Sequence, residues 1–576
     1  MARRPASPRV LAVARGDEPA DLLLRGGRVL SPSARAWIET DLAIADGVVA
    51  GWGPREAIEI VDVDGAALVA GLVDSHMHLE STKLWVDQFV RTVLPLGTTA
   101  VAADPHEIAN VFGVKGVAAL IDAASSLPFT FAVTASSCVP ASPFESSGAE
   151  LDHRDVARLM DELGAIGVAE VMNFPGVISA DPEMLERIAV AGGRRVDGHA
   201  PGVLGRALDA YLAAGVESDH ECTELDEAIE KRAKGMWIFI RQGSASQNLR
   251  DLIPMVIEAG TTHCTLCSDD REPDTLLDAG HLNDCVALAI AAGLNEIDAF
   301  VLATLNPAEY HGFFHLGALA PGYQADVCVF DRLEGVRPAA VYQAGRLVAT
   351  DGAIVPGAVP AAPAPSWMRG SVHLDPAPDA AELDLAPVPG RRARIIGIES
   401  GSLTTSSLIG DPTVPDAGAA RLAVVERHRE TGRIGLGWVS GFGLERGAFA
   451  STVGHDAHNV MVVGSRSAHG PSAMAAAIDR LASLGGGQVV VDQDGQVLAE
   501  LALPIGGLMS DLEAADVAAA LGVLIEAARQ LGVTISAPFM QLSFLGLSVI
   551  PELRLTDKGL VDVGRFELVD VVLDPD

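Results

Sequence analysis

The chain has 576 residues, of which 49% are hydrophobic and 20% charged, a composition typical of a folded globular protein and not of a disordered one. A chain of this length has room for two or three domains, each with its own core. Its formal charge of −35 argues against binding to nucleic acid or to an anionic membrane surface, because both would repel it.

The cysteines and the apolar stretches indicate a cytoplasmic protein. Six cysteines in so long a chain do not form a disulfide framework. Cys264 and Cys267 have the spacing of a redox or zinc pair, but they lie in an apolar run that favours core thiols. The basic N-terminal segment lacks the apolar region of a secretory signal, and residues 530–551 contain proline and serines that argue against a membrane span. A flexible tail or a basic organelle-targeting peptide remains open for that N-terminal segment.

Short strands are predicted at both ends of the first 358 residues. Between 20 and 66, the pair Asp46-Gly47 separates two apolar runs and is a strong hairpin signal. Further strand-like runs occupy 326–330 and 340–348. These two sets predict a small β-sandwich with halves at 1–69 and 316–358, interrupted by an inserted domain.

The middle of the chain, 70–315, alternates apolar strand-like runs with helical patterns, which is typical of a parallel α/β fold. Eight of these runs end in polar residues, spaced by about 20 to 35 residues, the length of one strand–helix unit. We therefore predict a (β/α)8 barrel of the TIM type, with its active site at the carboxyl ends of the strands. The polar run ends are His76 and His78, Asp104 to Glu107, Ser136 and Ser137, Glu170, His199, His220, Arg241 and Gln242, and Asp269 and Asp270.

These run ends carry the ligands of a two-metal site. His76 and His78 are two residues apart on a strand and so project from the same face, where neutral imidazoles suit a divalent transition metal. We predict that they hold one ion, that His199 and His220 hold another, and that the carboxylates of Glu170 and Asp269 complete the set. No lysine lies near residue 170 to supply the carboxylated lysine usual in such barrels, and Glu170 can bridge directly, with one oxygen for each ion. Paired cations lower the pKa of a shared water, and Asp269 can take its proton and pass it to a leaving group.

Beyond the barrel, the proline- and alanine-rich stretch 359–370 is predicted to be a linker. Residues 371–576 mix strands and helices in an α+β pattern. A hairpin is predicted at 489–498, and amphipathic helices are predicted at 473–484 and 516–531.

Several stretches resemble the amidohydrolase superfamily and, within it, the adenine deaminases. The opening His-x-His marks only the superfamily, whereas Asp-Pro-His-Glu-Ile-Ala-Asn-Val at 104–111 and the C-terminal domain are specific to adenine deaminases. The resemblance covers nearly the whole chain. The stretches that carry it are 71–80, 104–111, 170–173, 197–201, 268–271, 305–308, 455–459 and 504–511.

The resemblance implies hydrolysis of adenine to hypoxanthine and ammonia in purine salvage, with manganese(II) or iron(II) preferred over zinc(II). Hydroxide would attack C6 of the purine, and Asp269 would carry the proton to the departing amine. Glu107 or His106 is the candidate donor of a proton to N1, and either can instead be an additional metal ligand. Asp270 is the candidate partner of the imidazole edge of the purine, with a helix N-cap as the alternative.

Other roles stay open at this stage. Asp104 and Arg241 complete the predicted substrate contacts, although Arg241 can instead be an ion-pair partner inside the barrel. Residues 455–458 can be further metal ligands, a reach over the barrel mouth, or a polar turn before a strand. We expect a small-molecule substrate and a homo-oligomer. The competing functions are those of another amidohydrolase, acting on a cyclic amide or an N-acyl group, and of a non-catalytic barrel.

Overall fold

The computed structural model describes residues 7–374, 376–386, 391–398, 404–412, 414 and 418–573. The elements that precede the barrel are α1 (Pro8–Arg15), β1 (Ala20–Ser31), β2 (Ala36–Ala45), β3 (Val48–Trp52), β4 (Ala57–Asp62) and β5 (Ala67–Ala70).

The middle of the chain alternates strands and helices. These elements are β6 (Leu72–Met77), α2 (Val86–Val93), β7 (Thr98–Ala103), α3 (His106–Ala124), β8 (Thr130–Val133), α4 (His153–Asp161), β9 (Gly167–Val171), α5 (Phe174–Ile178), α6 (Pro182–Ala189), β10 (Arg195–Gly198), α7 (Gly205–Ala213), β11 (Ser218–Asp219), α8 (Leu225–Ala233), β12 (Trp237–Arg241), α9 (Leu249–Ala259), β13 (Cys264–Cys267), α10 (Pro273–Asp278), α11 (Leu282–Ala291), α12 (Glu296–Leu302) and α13 (Leu305–Tyr310).

Strands β6 to β13 form a closed parallel barrel. Parallel ladders join β6 to β7 and β8, β9 to β10, and β11 through β12 to β13. Isolated parallel bridges, Ala135 to Val168 and Met77 to Asp269, connect β8 with β9 and β13 with β6. Between β10 and β11 the amide of Glu217 donates to the carbonyl oxygen of Val196 at 2.9 Å. The predicted α/β fold with a (β/α)8 barrel is confirmed.

The strands that follow the barrel return to the strands that precede it. They are β14 (Val327–Phe330), β15 (Ala340–Gln343), β16 (Arg346–Thr350) and β17 (Ala353–Ile354). Strand β14 pairs antiparallel with β5, and the predicted small β-sandwich corresponds to one hydrogen-bonded sheet of nine strands in the order β17-β16-β15-β14-β5-β1-β2-β3, with β4 also paired to β1. The Asp46-Gly47 turn joins β2 and β3, as its sequence indicates.

The segment 359–370 packs closely against its neighbours. Trp85 donates its indole N–H to the carbonyl oxygen of Ala362 at 2.6 Å, and the amide of Gly506 donates to the carbonyl oxygen of Met368 at 2.8 Å. The segment therefore connects α2 of the barrel with the C-terminal domain through direct hydrogen bonds.

The C-terminal domain combines a mixed sheet with helices. Its sheet has the order β19-β18-β21-β20-β23-β22-β24-β25, in which only the β18–β21 pair is parallel among the described strands. Every described helix of the chain is too short or too polar to cross a lipid bilayer. The elements of this domain are β18 (Ala393–Ile398), β19 (Thr405–Gly410), β20 (Ala419–Val425), β21 (Ile434–Ser440), β22 (Ala448–Ser451), β23 (Val460–Gly464), α14 (Gly470–Leu484), β24 (Gly487–Val491), β25 (Val497–Ala502), α15 (Ala514–Gln530), α16 (Pro538–Ser543), β26 (Leu553–Thr556), β27 (Gly559–Asp562) and β28 (Glu567–Val569).

Candidate metal centre and catalytic site

The six predicted metal ligands meet at the carboxyl ends of the barrel strands. They come from or directly follow five of the eight strands, which places their side chains at one rim of the barrel. None is more than 5% exposed to solvent. The six residues are His76, His78, Glu170, His199, His220 and Asp269.

Glu170 lies between two groups of ligands. Its Oε1 is 3.3 Å from His78 Nε2 and 3.9 Å from His76 Nε2. Its Oε2 is 2.7 Å from His199 Nδ1 and 3.3 Å from His220 Nε2. Each carboxylate oxygen therefore faces a different pair of imidazoles, which is what a carboxylate shared by two cations requires.

Asp269 completes the first of these groups. Its Oδ1 is 3.2 Å from His78 Nε2 and 3.5 Å from His76 Nε2. Its Oδ2 accepts a hydrogen bond from Arg241 Nη1 at 2.9 Å. The backbone of Asp269 has φ +54°, and its amide donates to the carbonyl oxygen of His76 at 3.0 Å. One oxygen of Asp269 thus faces the ligands while Arg241 fixes the other.

The electrostatics of the cluster favour bound positive charge. Burial alone would lower the pKa of His220, but Glu170, Asp269 and Glu221 together raise it to about 9. Burial alone would raise the pKa of Glu170, but the imidazoles of His220 and His199 hold it well below its ordinary value. Donor nitrogens in this cluster find no hydrogen-bond partner within the described part of the chain, namely Nε2 of His76 and Nε2 of His199. Buried imidazoles and carboxylates in this arrangement fit divalent transition-metal ions.

A cavity of about 330 Å³ lies over these ligands, and the C-terminal domain closes one side of it. Three apolar residues of that domain, Phe544, Leu547 and Ile550, face the metal ligands across the cavity, beside His455 and Asp456. The sequence left open whether this domain reaches the barrel mouth, and the structure shows that it does.

An outer depression connects the cavity with the surface. Glu221, Arg241 and Ile550 border both spaces, so they mark the neck between them. The outer wall is acidic, and its carboxylates are those of Glu224, Asp226, Glu227 and Asp251.

The two candidate proton donors take different positions. His106 begins α3 and lines the cavity, with Nδ1 3.3 Å from Asp104 Oδ2. Glu107 is fully buried and does not line the cavity, since its Oε1 lies behind His455, 2.9 Å from Nδ1 of that residue. Only His106 of the pair therefore faces the space available to a substrate.

Two of the three predicted substrate contacts line the cavity. Asp270 lines it and accepts a hydrogen bond from Ser81 Oγ, while the N-cap of α10 is Glu272, so Asp270 does not cap that helix. Arg241 also lines the cavity, but its guanidinium is engaged by carboxylates. Asp104 lies outside the cavity lining, where its Oδ1 accepts from Ser136 Oγ at 3.3 Å.

Sequence reasoning missed Glu221. Arg241 donates from Nη2 to Glu221 Oε2 at 3.0 Å and also contacts Oε1, so the ion-pair alternative for Arg241 describes its contacts. Glu221 Oε1 is 3.5 Å from His220 Nε2. The available signal was an acidic residue directly after a predicted ligand at a strand end. His455 and Asp456 gave a weaker signal, because their approach to α3 depends on contacts between distant parts of the chain.

Comparisons with known proteins agree with this geometry. Residues 67–355 match the amidohydrolase family, and residues 404–567 match the adenine deaminase C-terminal domain. An adenine deaminase of Desulfatibacillum aliphaticivorans is 44% identical over 98% of this chain and 99% of its own length. An adenine deaminase of Nitratidesulfovibrio vulgaris is 42% identical over 99% of this chain and 100% of its own length.

Solved structures of similar chains include the L-hydantoinase of Arthrobacter aurescens, with a TM-score of 0.46 and 15% identity over 58% of this chain and 97% of its own. Another is the N-isopropylammelide isopropylaminohydrolase of Burkholderia multivorans, with a TM-score of 0.45 and 20% identity over 58% of this chain and 100% of its own. The family matches cover both the barrel and the C-terminal domain, and the two relatives align along nearly the whole sequence. The chain therefore belongs to the adenine deaminases of the amidohydrolase family.

Proposed function

We propose that this protein hydrolyses free adenine to hypoxanthine and ammonia, a reaction of purine salvage. The observation that carries the proposal is the position of Glu170, with one oxygen toward each of two imidazole pairs at the base of an enclosed cavity. Relatives named adenine deaminases over the full length support adenine as the substrate.

The residues present fit a pair of divalent ions. His76, His78 and Asp269 would hold one ion, His199 and His220 the other, and Glu170 would be shared. Bound ions of this kind supply an activated water near neutral pH. Nitrogen and oxygen ligands suit manganese(II) and iron(II), which we propose, and also zinc(II).

Asp269 is placed to move the proton of the reaction. Its Oδ1 faces the ligand imidazoles, and Arg241 holds Oδ2. Burial would raise the pKa of Asp269, but Arg241 and the two imidazoles of the His-x-His pair lower it well below its ordinary value. Asp269 is therefore ionised at neutral pH, can accept a proton from the attacking water, and can donate it to the departing amine.

The remaining cavity residues bind the purine in this proposal. His106 faces the cavity and is the candidate donor to ring nitrogen N1, whereas Glu107 acts from behind it. Asp270 is the candidate acceptor for the imidazole edge of adenine. The apolar wall of Phe544, Leu547 and Ile550 covers a ring face and excludes water.

A substrate panel tests the proposal. Protein reconstituted in turn with manganese(II), iron(II) or zinc(II) is assayed for ammonia release from adenine, adenosine, adenosine monophosphate and guanine, and for ring opening of dihydrouracil. We expect rapid ammonia release from adenine alone. Metal-loaded protein that releases no ammonia from adenine would overturn the proposal, and ring opening of dihydrouracil would favour the cyclic-amide alternative.

A further inference from the structure

A second cluster of metal-ligand side chains lies beside the centre described above, where the barrel meets the C-terminal domain. His106 and Glu107 come from the first turn of α3, and His455 and Asp456 come from the loop between β22 and β23. All four are more than nine-tenths buried, with exposures of 3%, 0%, 7% and 1%. Two distant parts of the chain therefore bring two imidazoles and two carboxylates together out of contact with solvent.

The side-chain atoms of this cluster are as close as ligands of one ion. Glu107 Oε1 is 2.9 Å from His455 Nδ1, and His106 Nε2 is 3.4 Å from Asp456 Oδ1. His455 Nδ1 is 3.6 Å from the same Asp456 oxygen. Ligands at bond lengths of about 2.0–2.2 Å around one cation lie roughly 3 to 3.6 Å from one another. The separations in the cluster match that range.

Hydrogen bonding within the described residues does not satisfy these groups. Both ring nitrogens of His106, both carboxylate oxygens of Glu107 and Oδ2 of Asp456 are buried there without a hydrogen-bond partner. The adjacent His458 has an unpartnered Nε2 as well. Buried polar atoms in native proteins are nearly always paired, so this many unpaired atoms in one place indicate a ligand.

A proton alone does not account for the cluster. A proton on His455 Nδ1 would satisfy one oxygen of Glu107 but would leave the second oxygen of Glu107 and Nε2 of His106 without a partner. A divalent cation can contact all four side chains, and the two carboxylates balance its charge. Nitrogen and oxygen ligands in equal number suit manganese(II), iron(II) or zinc(II).

We propose that His106, Glu107, His455 and Asp456 bind a third divalent metal ion, which ties the C-terminal domain to the barrel mouth. Three of these residues, Glu107, His455 and Asp456, are outside the set of six ligands around Glu170. His106 would use Nε2, which faces Asp456, while its Nδ1 faces the other way, 3.7 Å from Glu170 Oε1. The role proposed for His106 toward the substrate is therefore compatible with the third ion. The inference does not depend on adenine being the substrate.

Counting bound metal tests this site. Metal-free protein is dialysed against manganese(II) chloride, and manganese per chain is measured by mass spectrometry. We expect three ions per chain in the wild type and two in His455→Asn and in Asp456→Asn. The control His469→Asn makes the same change at an exposed histidine of the same domain and should keep three. Only two ions in the wild type, or an unchanged count in both site variants, would overturn the proposal.

Two further measurements separate this site from the first centre. Glu170→Gln should lose manganese from the first centre and retain the third ion, and loss of all bound manganese would contradict two separate sites. Anomalous diffraction from crystals of the manganese-loaded wild type should show a peak within bonding distance of the four side chains. Absence of that peak would overturn the proposal even if the variants failed to fold. Neither measurement uses adenine, so failure of the deaminase assignment would be seen separately.

Discussion

Glu170 replaces a modified lysine with a carboxylate that is always present. Its two oxygens lie 3.3 Å from His78 Nε2 and 3.3 Å from His220 Nε2, so each group of ligands receives one oxygen. A glutamate needs no carbon dioxide to become a bridge, and the site can therefore assemble from the folded chain and metal alone.

Changing Glu170 to glutamine should remove this bridge. An amide offers one oxygen and one NH2 group, so it cannot give an oxygen to both ions. We expect Glu170→Gln to lower kcat/KM by more than about 100-fold, since changes to residues that only support metal ligands already cost about 10- to 100-fold. Metal content per chain should fall in parallel, measured together with ammonia release.

A buried glutamate elsewhere provides the matched control. Burial raises the pKa of Glu145 to about 8, so this side chain is already uncharged at pH 7. Glu145→Gln replaces a neutral acid by a neutral amide and should leave metal content and turnover close to wild type. Wild-type metal retention and turnover in Glu170→Gln would contradict the bridging role.

Arg241 stabilises two buried acids at once. It donates to Glu221 through both terminal nitrogens and to Asp269 Oδ2 at 2.9 Å. Arg241→Met would leave both carboxylates buried without their cation, and we expect a loss of about 3–5 kcal/mol in the free energy of unfolding. Arg241→Lys keeps the charge without the planar fork and should lose less. Denaturant unfolding of both variants measures the difference, and equal stability of Arg241→Met and wild type would refute this account of Arg241.

At the residue scale, the ligand set could be predicted because strand ends of a barrel share one rim. That geometry needs only the order of apolar runs and the residue type after each run, as for His199 and His220. Side-chain direction needs more. Asp104 and Glu107 follow the same strand as His106, yet only His106 lines the cavity, because the first turn of α3 directs each side chain differently.

Among the structural elements, the segment 544–551 forms the wall opposite the metal ligands. Arg554 holds this segment by donating to the carbonyl oxygens of Ile550 at 2.7 Å, Phe544 at 2.8 Å and Pro551 at 3.0 Å. A wall fixed at three carbonyl groups presents its side chains to the cavity in a defined position.

Enlarging a side chain of this wall should obstruct the path to the site. Ile550 borders both the cavity and the outer depression, so Ile550→Trp narrows the neck between them. We expect KM for adenine to rise by about tenfold, roughly the 1.4 kcal/mol of binding that a tenfold change represents, with metal content unchanged. The neighbouring Val549→Ile adds volume at a residue outside both linings and serves as control. An unchanged KM in Ile550→Trp would show that the substrate takes another route.

The strand that returns from the barrel carries a pH-dependent term. Burial raises the pKa of Asp326 from 3.8 to about 6, against the hydrogen bond donated by the amide of Ala344. Between these pH values the folded chain keeps a proton that the unfolded chain has lost, so Asp326 lowers stability as pH rises from about 4 to about 6. Asp326→Asn removes this term. The melting temperature of Asp326→Asn relative to wild type should therefore increase between pH 4 and pH 7, and a constant difference would contradict the assigned pKa.

Local patterns predicted several elements well. The helix predicted at 473–484 is α14 (Gly470–Leu484), and the helix predicted at 516–531 is α15 (Ala514–Gln530), because apolar periodicity directly reflects the face that each helix buries. The segment 359–370 was interpreted from its composition as a linker. Its packing depends on hydrogen bonds with Trp85 and Gly506, and these contacts across long chain separations leave no local pattern.

At the scale of the whole molecule, charge selects among purine substrates. The chain carries −35 overall, and the outer depression adds Glu224, Asp226, Glu227 and Asp251 along the path to the cavity. Adenine is neutral, whereas adenosine monophosphate carries a phosphate that these carboxylates repel.

We therefore expect adenosine monophosphate neither to be deaminated nor to inhibit adenine turnover. The exclusion should be strongest at low salt, because charges are screened over about 10 Å at 0.1 M ionic strength. Steady-state rates with adenine, measured with and without the nucleotide at two salt concentrations, test this. Competitive inhibition at nucleotide concentrations near the KM for adenine would show that the acidic wall does not select.

The account depends on divalent metal making the buried cluster around Glu170 an adenine deaminase site. The most direct test is the rate of hypoxanthine formation from adenine as manganese(II) is titrated into metal-free protein. We predict no turnover without metal and a rate that rises with bound manganese until the ligand groups are filled. Equal rates in metal-free and loaded protein, or no hypoxanthine at any loading, would contradict it.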